Sequence, residues 1–321
     1  MSVSGTGDGA KDETAGAGVK TALLFPGQGS QSVGMRERLG PRSKAQEELF
    51  ERAEAVLGFA LGRLIDEGPE PELTRTSNAQ PALLVMDLAH AEGLLARGIG
   101  ADVVLGHSLG EYAALVHAGA LAFEDAVRVV RARGRVMEDA SWRTPGRMAA
   151  VIKVPLEALR RVVTECSAEG VLEITNFNGP DQLVVSGETE AVEAAVETIR
   201  ERRLGRAVPL NVSAPFHSSL MVPAAEAFRA ELGAVELRAP TCTFIDNVTG
   251  SPEADPLQIR RKLVQQIVAP VRWEESVRTA MALGVTRFVE SGPGSVLAAL
   301  ARRIAPPGTA IATSESMVAG G

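Results

Sequence analysis

The sequence predicts an α/β fold in which helices cover a mostly parallel sheet and a smaller subdomain is inserted into the chain. Short apolar runs alternate with segments of helical periodicity, which is the order of a parallel sheet covered on both faces. One apolar run, 103–105, leads through a Gly-x-Ser-x-Gly turn directly into a helix. From 146 to 212 the elements follow the order β-α-β-β-α-β of a ferredoxin-like unit. Together these observations predict one large core with one insertion.

The elements before the insertion follow from local sequence. The apolar run 21–25 ends in the Gly-rich loop 26–31, which predicts a strand followed by a turn. Helical spacing of apolar residues predicts a helix over 43–57. Gln80-Pro81 is expected to open a second, buried helix, because proline suits a first helical turn. A further helix is predicted over 123–140.

The insertion and the rest of the core are predicted in the same way. The inserted strands are 148–154, 171–176, 182–186 and 206–212, and the inserted helices are 156–168 and 189–203. The core resumes with a helix over 223–232, a strand over 241–246, a helix near 257–268 and a strand over 287–290 before a last helix near 295. We therefore expect a disordered tail over 1–19, a core over 20–145 and 213–312, the insertion over 146–212 and a flexible tail over 313–321.

The composition excludes several classes of function. The chain has 321 residues, of which 45% are hydrophobic, so a sizeable core is available. A net charge of −7 argues against nucleic acid as a partner. The sequence shows no apolar stretch of membrane-spanning length and no secretory signal in its first 19 residues. Cys166 and Cys242 are far apart and the four histidines are scattered, which predicts reduced thiols in a cytoplasmic protein and no metal site.

The turn Gly106-His-Ser-Leu-Gly110 has the strand, sharp turn and helix that a nucleophile elbow requires. Gly106 and Gly110 allow the strand and helix backbones to approach closely, where a Cβ atom would clash. The turn would place the Ser108 hydroxyl at a helix N-terminus, where the helix dipole favours developing negative charge. We predict that Ser108 is a nucleophile, and an ordinary Gly-rich turn is the alternative.

A nucleophilic serine needs a general base, and four histidines are available. His90 and His117 lie on predicted helices, where packing or solvation explains them. His107 should point to the other side of the turn from Ser108. His217 lies in an irregular segment after a strand, which makes it the best candidate for the base.

The predicted helix over 123–140 carries one charge in an unexpected place. Arg133 falls in the middle of an apolar face. That face is formed by Ala126, Val129, Val130, Val136 and Met137. An unpaired buried charge is costly, so Arg133 needs an anionic partner, either a structural carboxylate or a substrate carboxylate bound bidentately. The arginines expected to be solvated on the opposite face are Arg128, Arg131 and Arg135.

Five stretches of sequence carry a resemblance to a known family. They are Phe25-Pro-Gly-Gln-Gly-Ser-Gln31, Gly106-His-Ser-Leu-Gly-Glu111, Asn176-Phe-Asn178, Pro215-Phe-His-Ser218 and Glu290-Ser-Gly-Pro-Gly294. In this order and spacing they resemble the malonyl-CoA:acyl carrier protein transacylases, and the discrete acyltransferases that serve polyketide synthases, over residues 20 to 305. The resemblance implies an α/β-hydrolase-like core with a ferredoxin-like insertion.

The resemblance also implies roles for individual residues. His217 stands at the place of the family's catalytic histidine, and Arg133 matches its malonyl-binding arginine. The N–H groups of Leu109 and Gln28 are the expected donors to the oxyanion. No acidic residue stands out to orient the histidine, and in the family main-chain carbonyls do so, one of them near the match to Gln266.

The implied reaction is a ping-pong transfer through an acyl-serine. Malonyl-CoA would acylate Ser108, and the phosphopantetheine thiol of an acyl carrier protein would then accept the malonyl group. We expect no cofactor and no metal, no membrane partner, and a monomer. Phe216 is expected to lie beside C2 of the acyl group and to favour malonyl over methylmalonyl, with simple packing under the loop as the alternative. We also assign His107 and Asn178, from two of the matching stretches, to substrate binding.

Two other functions compete with transfer. An acyl-thioester hydrolase would share Ser108, His217 and the oxyanion donors, but it has no use for a buried cation that faces the acyl chain. A non-catalytic docking module on an inactive acyltransferase fold would not need the intact set of Ser108, His217, Arg133 and Gln28. An acyltransferase for a branched or unusual extender unit also remains open.

Overall fold

The structure is a computed structural model, and it describes residues 19–212 and 214–319. The predicted disordered tail over 1–19 therefore lies outside the described residues except for Val19. The strands are β1 Thr21–Phe25, β2 Val103–Gly106, β3 Arg147–Ile152, β4 Leu172–Gly179, β5 Gln182–Gly187, β6 Arg206–Pro209, β7 Thr243–Ile245, β8 Arg287–Glu290 and β9 Ala310–Thr313. The helices are α1 Lys44–Leu57, α2 Leu61–Glu67, α3 Glu70–Thr74, α4 Thr76–Leu95, α5 Gly110–His117, α6 Phe123–Arg143, α7 Leu156–Cys166, α8 Thr189–Glu201, α9 Val222–Gly233, α10 Pro256–Gln265, α11 Trp273–Ala282, α12 Val296–Ile304 and α13 Ser314–Ala319. Short 3-10 turns occupy Met35–Leu39, Ser167–Glu169, Ser219–Met221 and Gln266–Val268.

The larger sheet is parallel and has the strand order β7-β2-β1-β8-β9. Every residue of β1 and β2 is buried, as expected for central parallel strands covered on both faces. β1 and β2 pair in a register that sets Phe25 opposite Gly106. Both strands therefore end at the same edge of the sheet, where the Gly-rich loop after β1 and the serine turn after β2 lie side by side. The predicted α/β class is confirmed.

The smaller sheet is antiparallel and has the strand order β4-β5-β3-β6. Its strands and the helices α7 and α8 follow the predicted β-α-β-β-α-β order, and they enclose an apolar cluster of their own. β4 also reaches the core, since the Phe177 N–H donates to the carbonyl of Val271 at 2.9 Å. The residue boundaries between core and insertion stay a prediction.

Helix α4 begins earlier than the sequence predicts. It starts at Thr76, so Pro81 lies inside it rather than in its first turn. Proline has no N–H to donate to the carbonyl four residues earlier, which is that of Ser77. The Arg131 guanidinium donates to this carbonyl and to Asn78 Oδ1 instead. The expectation that Arg131 is solvated is therefore wrong, because its guanidinium binds the Ser77 carbonyl that Pro81 leaves without a helical donor.

The end of the chain also differs from the expectation of a flexible tail from 313. β9 adds an edge strand to the larger sheet, and α13 follows it directly. Ser314 Oγ lies 2.9 Å from His90 Nδ1 on α4, and Glu315 accepts a hydrogen bond from the Gly294 N–H. These contacts hold residues that a polar composition alone assigns to a tail. Among the helices of the described residues, none is long and apolar enough to cross a membrane.

Candidate active site

Ser108 lies in a strained turn between β2 and α5. Its φ angle of 51° places a non-glycine residue in the left-handed region, which is uncommon. A Cβ atom at Gly106 would lie 2.0 Å from the Gly110 carbonyl carbon, and one at Gly110 would lie 2.0 Å from the Phe25 oxygen. Both glycines are therefore required by close backbone approach, as the nucleophile-elbow prediction states.

The Ser108 hydroxyl is hydrogen-bonded to the predicted base. Ser108 Oγ lies 2.9 Å from His217 Nε2, and His217 Nδ1 lies 2.7 Å from the main-chain oxygen of Gln266. A carbonyl oxygen only accepts, so Nδ1 carries the proton and Nε2 is free to accept from the serine hydroxyl. Gln266 thus orients the histidine through its main chain, in the role that an acidic residue has in a Ser-His-Asp triad.

His217 is buried and held in an unusual backbone conformation. Its side chain is 5% exposed and its φ angle is 63°. Burial first, and then the positive charge of Arg133, lower the pKa of His217 to about 3. The imidazole is therefore neutral near neutral pH, which is the state that a general base requires.

Arg133 is a second hydrogen-bond partner of the Ser108 hydroxyl. It lies on α6, is 1% exposed, and donates from Nη2 to Ser108 Oγ at 3.1 Å. Its other partners are the amide oxygens Gln80 Oε1 and Gln266 Oε1, both at 3.0 Å. None of the ion pairs in the described part of the chain includes Arg133. The buried guanidinium is therefore bound by neutral groups beside Ser108, with its positive charge uncompensated by direct contact with a carboxylate.

The two predicted oxyanion donors flank the turn. Leu109 follows Ser108 directly, and the loop that carries Gln28 packs on the turn, since a Cβ atom at Gly27 would lie 2.5 Å from the His107 oxygen. Neither the Gln28 nor the Leu109 N–H donates a hydrogen bond to another described residue. Gln28 is fixed through its side chain, whose Nε2 donates to Thr76 Oγ1 at 3.2 Å.

The remaining predicted residues line the surroundings of the turn. His107 Nε2 donates to Asn178 Oδ1 at 2.9 Å, and the expectation that its ring lies on the other side of the turn from Ser108 stays a prediction. The His107 ring packs 5.6 Å from the ring of Trp273. These contacts make His107 and Asn178 a link between the core and the inserted sheet. Phe216 is 9% exposed within the largest apolar cluster, and its contact with the acyl group stays a prediction.

Three polar residues of the site were not predicted from the sequence. Gln80 binds Arg133, Glu111 accepts from Gln266 Nε2, and Asn247 Oδ1 accepts from the Ser108 N–H at 2.7 Å. The sequence did contain a signal for Glu111, which stands in the first turn of the mostly apolar helix α5. The described residues contain no group of three or more His, Cys, Asp or Glu placed to bind a metal.

Comparisons with known proteins agree with this arrangement. The family model described as "Acyl transferase domain" matches residues 22–311. The malonyl CoA-acyl carrier protein transacylase of Bacillus subtilis is 45% identical over 286 residues, which cover 89% of this chain and 90% of the relative. That of Escherichia coli K12 is 41% identical over 295 residues, covering 92% and 96%.

Solved structures give the same result. An acyl-carrier-protein S-malonyltransferase from Burkholderia pseudomallei superposes with a TM-score of 0.87 at 41% identity, covering 93% of this chain and 99% of that one. A type II polyketide synthase acyl carrier protein complexed with its malonyl-transacylase gives 0.87 at 38% identity, with 92% and 94% covered. The chain therefore belongs to the acyl transferase domain family, among the malonyl-CoA:acyl carrier protein transacylases.

Proposed function

We propose that this chain transfers a malonyl group from malonyl-CoA to the phosphopantetheine thiol of an acyl carrier protein, in fatty acid or polyketide synthesis, through an ester on Ser108. The observation that carries the proposal is the position of Ser108 Oγ, which lies 2.9 Å from His217 Nε2 and 3.1 Å from Arg133 Nη2. One neighbour can take the hydroxyl proton, and the other can bind an anionic acyl group. The names of the relatives agree with both halves of the reaction.

The first half-reaction forms the acyl-serine. As Ser108 Oγ attacks the thioester carbonyl carbon, its proton moves to His217 Nε2. The N–H groups of Leu109 and Gln28 donate to the oxyanion, and each such donor contributes about 3–4 kcal/mol to transition-state stabilisation. The carbon–sulfur bond then breaks, and the CoA thiolate takes the proton from His217.

The second half-reaction reverses these steps with another thiol. The carrier thiol gives its proton to His217 Nε2 and attacks the ester carbonyl carbon. The bond to Ser108 Oγ breaks, and the serine recovers its proton from the histidine. One proton leaves on the CoA thiol and one arrives with the carrier thiol, so Ser108 and His217 regain their starting states and the proposed reaction consumes no cofactor.

Arg133 accounts for the choice of acyl group in this proposal. The malonyl carboxylate is the anionic partner that the buried guanidinium lacks, and it can be bound bidentately. Its negative charge also offsets the charge that lowers the pKa of His217, so substrate binding makes the histidine a stronger base. A hydrolase acting on neutral acyl groups gains nothing from this arrangement.

The proposal also includes the cellular location and the oligomeric state of the chain. A cytoplasmic location agrees with the two free cysteines, Cys166 and Cys242, and with CoA thioesters as substrates. We also propose a monomer.

Intact-mass measurement tests the reaction. Incubation with malonyl-CoA should add one malonyl group, and holo acyl carrier protein should remove it and carry it away. If water removes the group as fast as the carrier does, the chain is a hydrolase.

A further inference from the structure

Two buried residues behind the nucleophile, Glu111 and Asn247, link the catalytic groups to one another. The Asn247 side chain spans the serine turn, since Nδ2 donates to the Gly106 carbonyl and Oδ1 accepts from the Ser108 N–H, both at 2.7 Å. Strand β7 ends two residues earlier, at Ile245, which pairs with the last residue before Gly106. The Asn247 amide therefore continues the pairing of β2 where the neighbouring strand has ended.

The Glu111 carboxylate accepts hydrogen bonds from both Asn247 and Gln266. Its Oε1 accepts from the Asn247 N–H at 2.5 Å, and its Oε2 accepts from Gln266 Nε2. Gln266 Nε2 also donates to the Ser108 carbonyl oxygen at 3.0 Å. Both of these partners only accept, so the NH2 end of the Gln266 amide faces them.

The orientation of the Gln266 side-chain amide determines whether Arg133 finds a hydrogen-bond acceptor or a donor. With its NH2 end directed at Glu111 and Ser108, Gln266 presents Oε1 to Arg133 Nη2 at 3.0 Å. A reversed amide would set two donors against each other, and Nη2 would lose its acceptor beside the nucleophile. The carboxylate thus holds the guanidinium in place through one intervening amide.

The intervening amide also keeps the guanidinium available. Glu111 is 1% exposed, and burial, followed by the charge of Asp246, raises its pKa well above the usual range, although the bond from Asn247, the charge of Arg133 and the bond from Gln266 oppose this rise. A carboxylate in direct contact with Arg133 would compete with an anionic acyl group for the same N–H donors. A neutral amide fixes the same donors through a weaker bond, which an anionic acyl group can replace.

We propose that Glu111 is a positioning residue for the selection of the acyl group, because it orients the Gln266 amide that holds Arg133 beside Ser108. This inference rests on the proposed function, in which Arg133 binds the substrate carboxylate. It assigns Glu111 no contact with the substrate and no proton transfer. Asn247 supports the same orientation, since its N–H holds the second Glu111 oxygen.

The test is Glu111→Gln, which has nearly the same shape but only one acceptor oxygen. It cannot accept from both the Asn247 N–H and Gln266 Nε2, so the Gln266 amide reverses. The readout is the ratio of single-turnover acylation rates with malonyl-CoA and with acetyl-CoA, followed by intact mass. Loss of one hydrogen bond to the charged guanidinium should lower this ratio by about 10-fold, which is less than the loss expected when Arg133 itself is removed.

Two further variants distinguish a positioning role of Glu111 from a non-specific effect on the folded structure. Gln266→Met keeps the main-chain oxygen that orients His217 but removes the amide, so it should lower the ratio by a similar factor. It also carries the test if Glu111→Gln does not fold. The matched control is Glu290→Gln, which alters another buried glutamate that accepts from two backbone N–H groups, those of Leu297 and Ala298. It should leave the ratio as in the unmutated protein.

A double-mutant cycle with Arg133→Ala decides the outcome. If Glu111 acts through Arg133, Glu111→Gln should not lower the ratio further in the Arg133→Ala background. An unchanged ratio in Glu111→Gln or Gln266→Met, while Arg133→Ala lowers it, overturns this inference and leaves the proposed function intact. An unchanged ratio in Arg133→Ala overturns the proposed role of Arg133 itself.

Discussion

Replacing Arg133 with alanine should convert a malonyl-selective site into one that no longer distinguishes malonyl from acetyl. A bidentate carboxylate forms two charge-assisted hydrogen bonds, which contribute about 1.5–3 kcal/mol each, and two bonds to neutral oxygens are given up at about 1 kcal/mol each. The difference is about 2.5 kcal/mol, or about 70-fold in kcat/KM for malonyl-CoA. Acetyl-CoA has no carboxylate to lose a partner, and the variant no longer buries an unpaired cation beside it. Its acylation rate should stay equal or rise.

The assay is single-turnover acylation by each thioester, in which intact-mass measurement gives the fraction of acyl-enzyme over time. Arg131→Ala is the matched control, because Arg131 lies on the same helix but binds the Ser77 carbonyl and Asn78 rather than the nucleophile. It should leave the malonyl-to-acetyl ratio unchanged. Equal losses on both substrates in Arg133→Ala would mean that the guanidinium is a structural group, and the reasoning would be refuted.

The other predictions concern the base, the acyl pocket and pH. His217→Ala should slow both acylation and transfer by about 100-fold or more, and unchanged single-turnover rates would remove His217 from the mechanism. Malonyl-CoA should be preferred over methylmalonyl-CoA by about 10- to 200-fold in kcat/KM, and Phe216→Ser should reduce that preference; comparable rates in the unmutated protein would contradict it in a competition assay. Because burial and Arg133 lower the pKa of His217 to about 3, kcat/KM should stay flat as pH falls from 8 to about 5, and an acid limb centred near 6.5 would contradict a buried neutral base. Burial lowers the pKa of His217 to about 3 and that of His90 to about 4. Between pH 6.5 and about 3, the unfolded chain therefore binds more protons than the folded chain. The free energy of unfolding should fall as the pH falls through this range.

Much of the site could be predicted because its residues stand out against their local pattern. Ser108 is marked by glycines that backbone approach requires, and Arg133 by its place in an apolar helix face. Ser108 and Arg133 are brought together by the tertiary fold. The contact between Arg133 Nη2 and Ser108 Oγ could therefore not be predicted from their sequence spacing alone. The fold class followed from the alternation of elements, and the parallel order of the larger sheet confirms it.

The features that the sequence did not predict depend on long-range contacts. Asn247 is separated from Ser108 by 139 positions, and no local periodicity marks an amide that continues a strand pairing. Within α4, the Ser77 carbonyl accepts from Arg131, which is 54 positions away. Similarly, α13 forms long-range hydrogen bonds with His90 and Gly294. In each case the unpredicted feature involves a tertiary hydrogen bond that the local sequence does not reveal.

The most direct test of the central claim is the fate of the malonyl group on Ser108. Incubation of the unmutated protein with malonyl-CoA should give one malonyl adduct, which peptide mapping should locate on Ser108 and which holo acyl carrier protein should take over as its own thioester. Ser108→Ala should remain folded by circular dichroism and carry no adduct. A malonyl adduct of equal yield on the alanine variant would contradict the assignment of Ser108 as the nucleophile on which the whole mechanism depends.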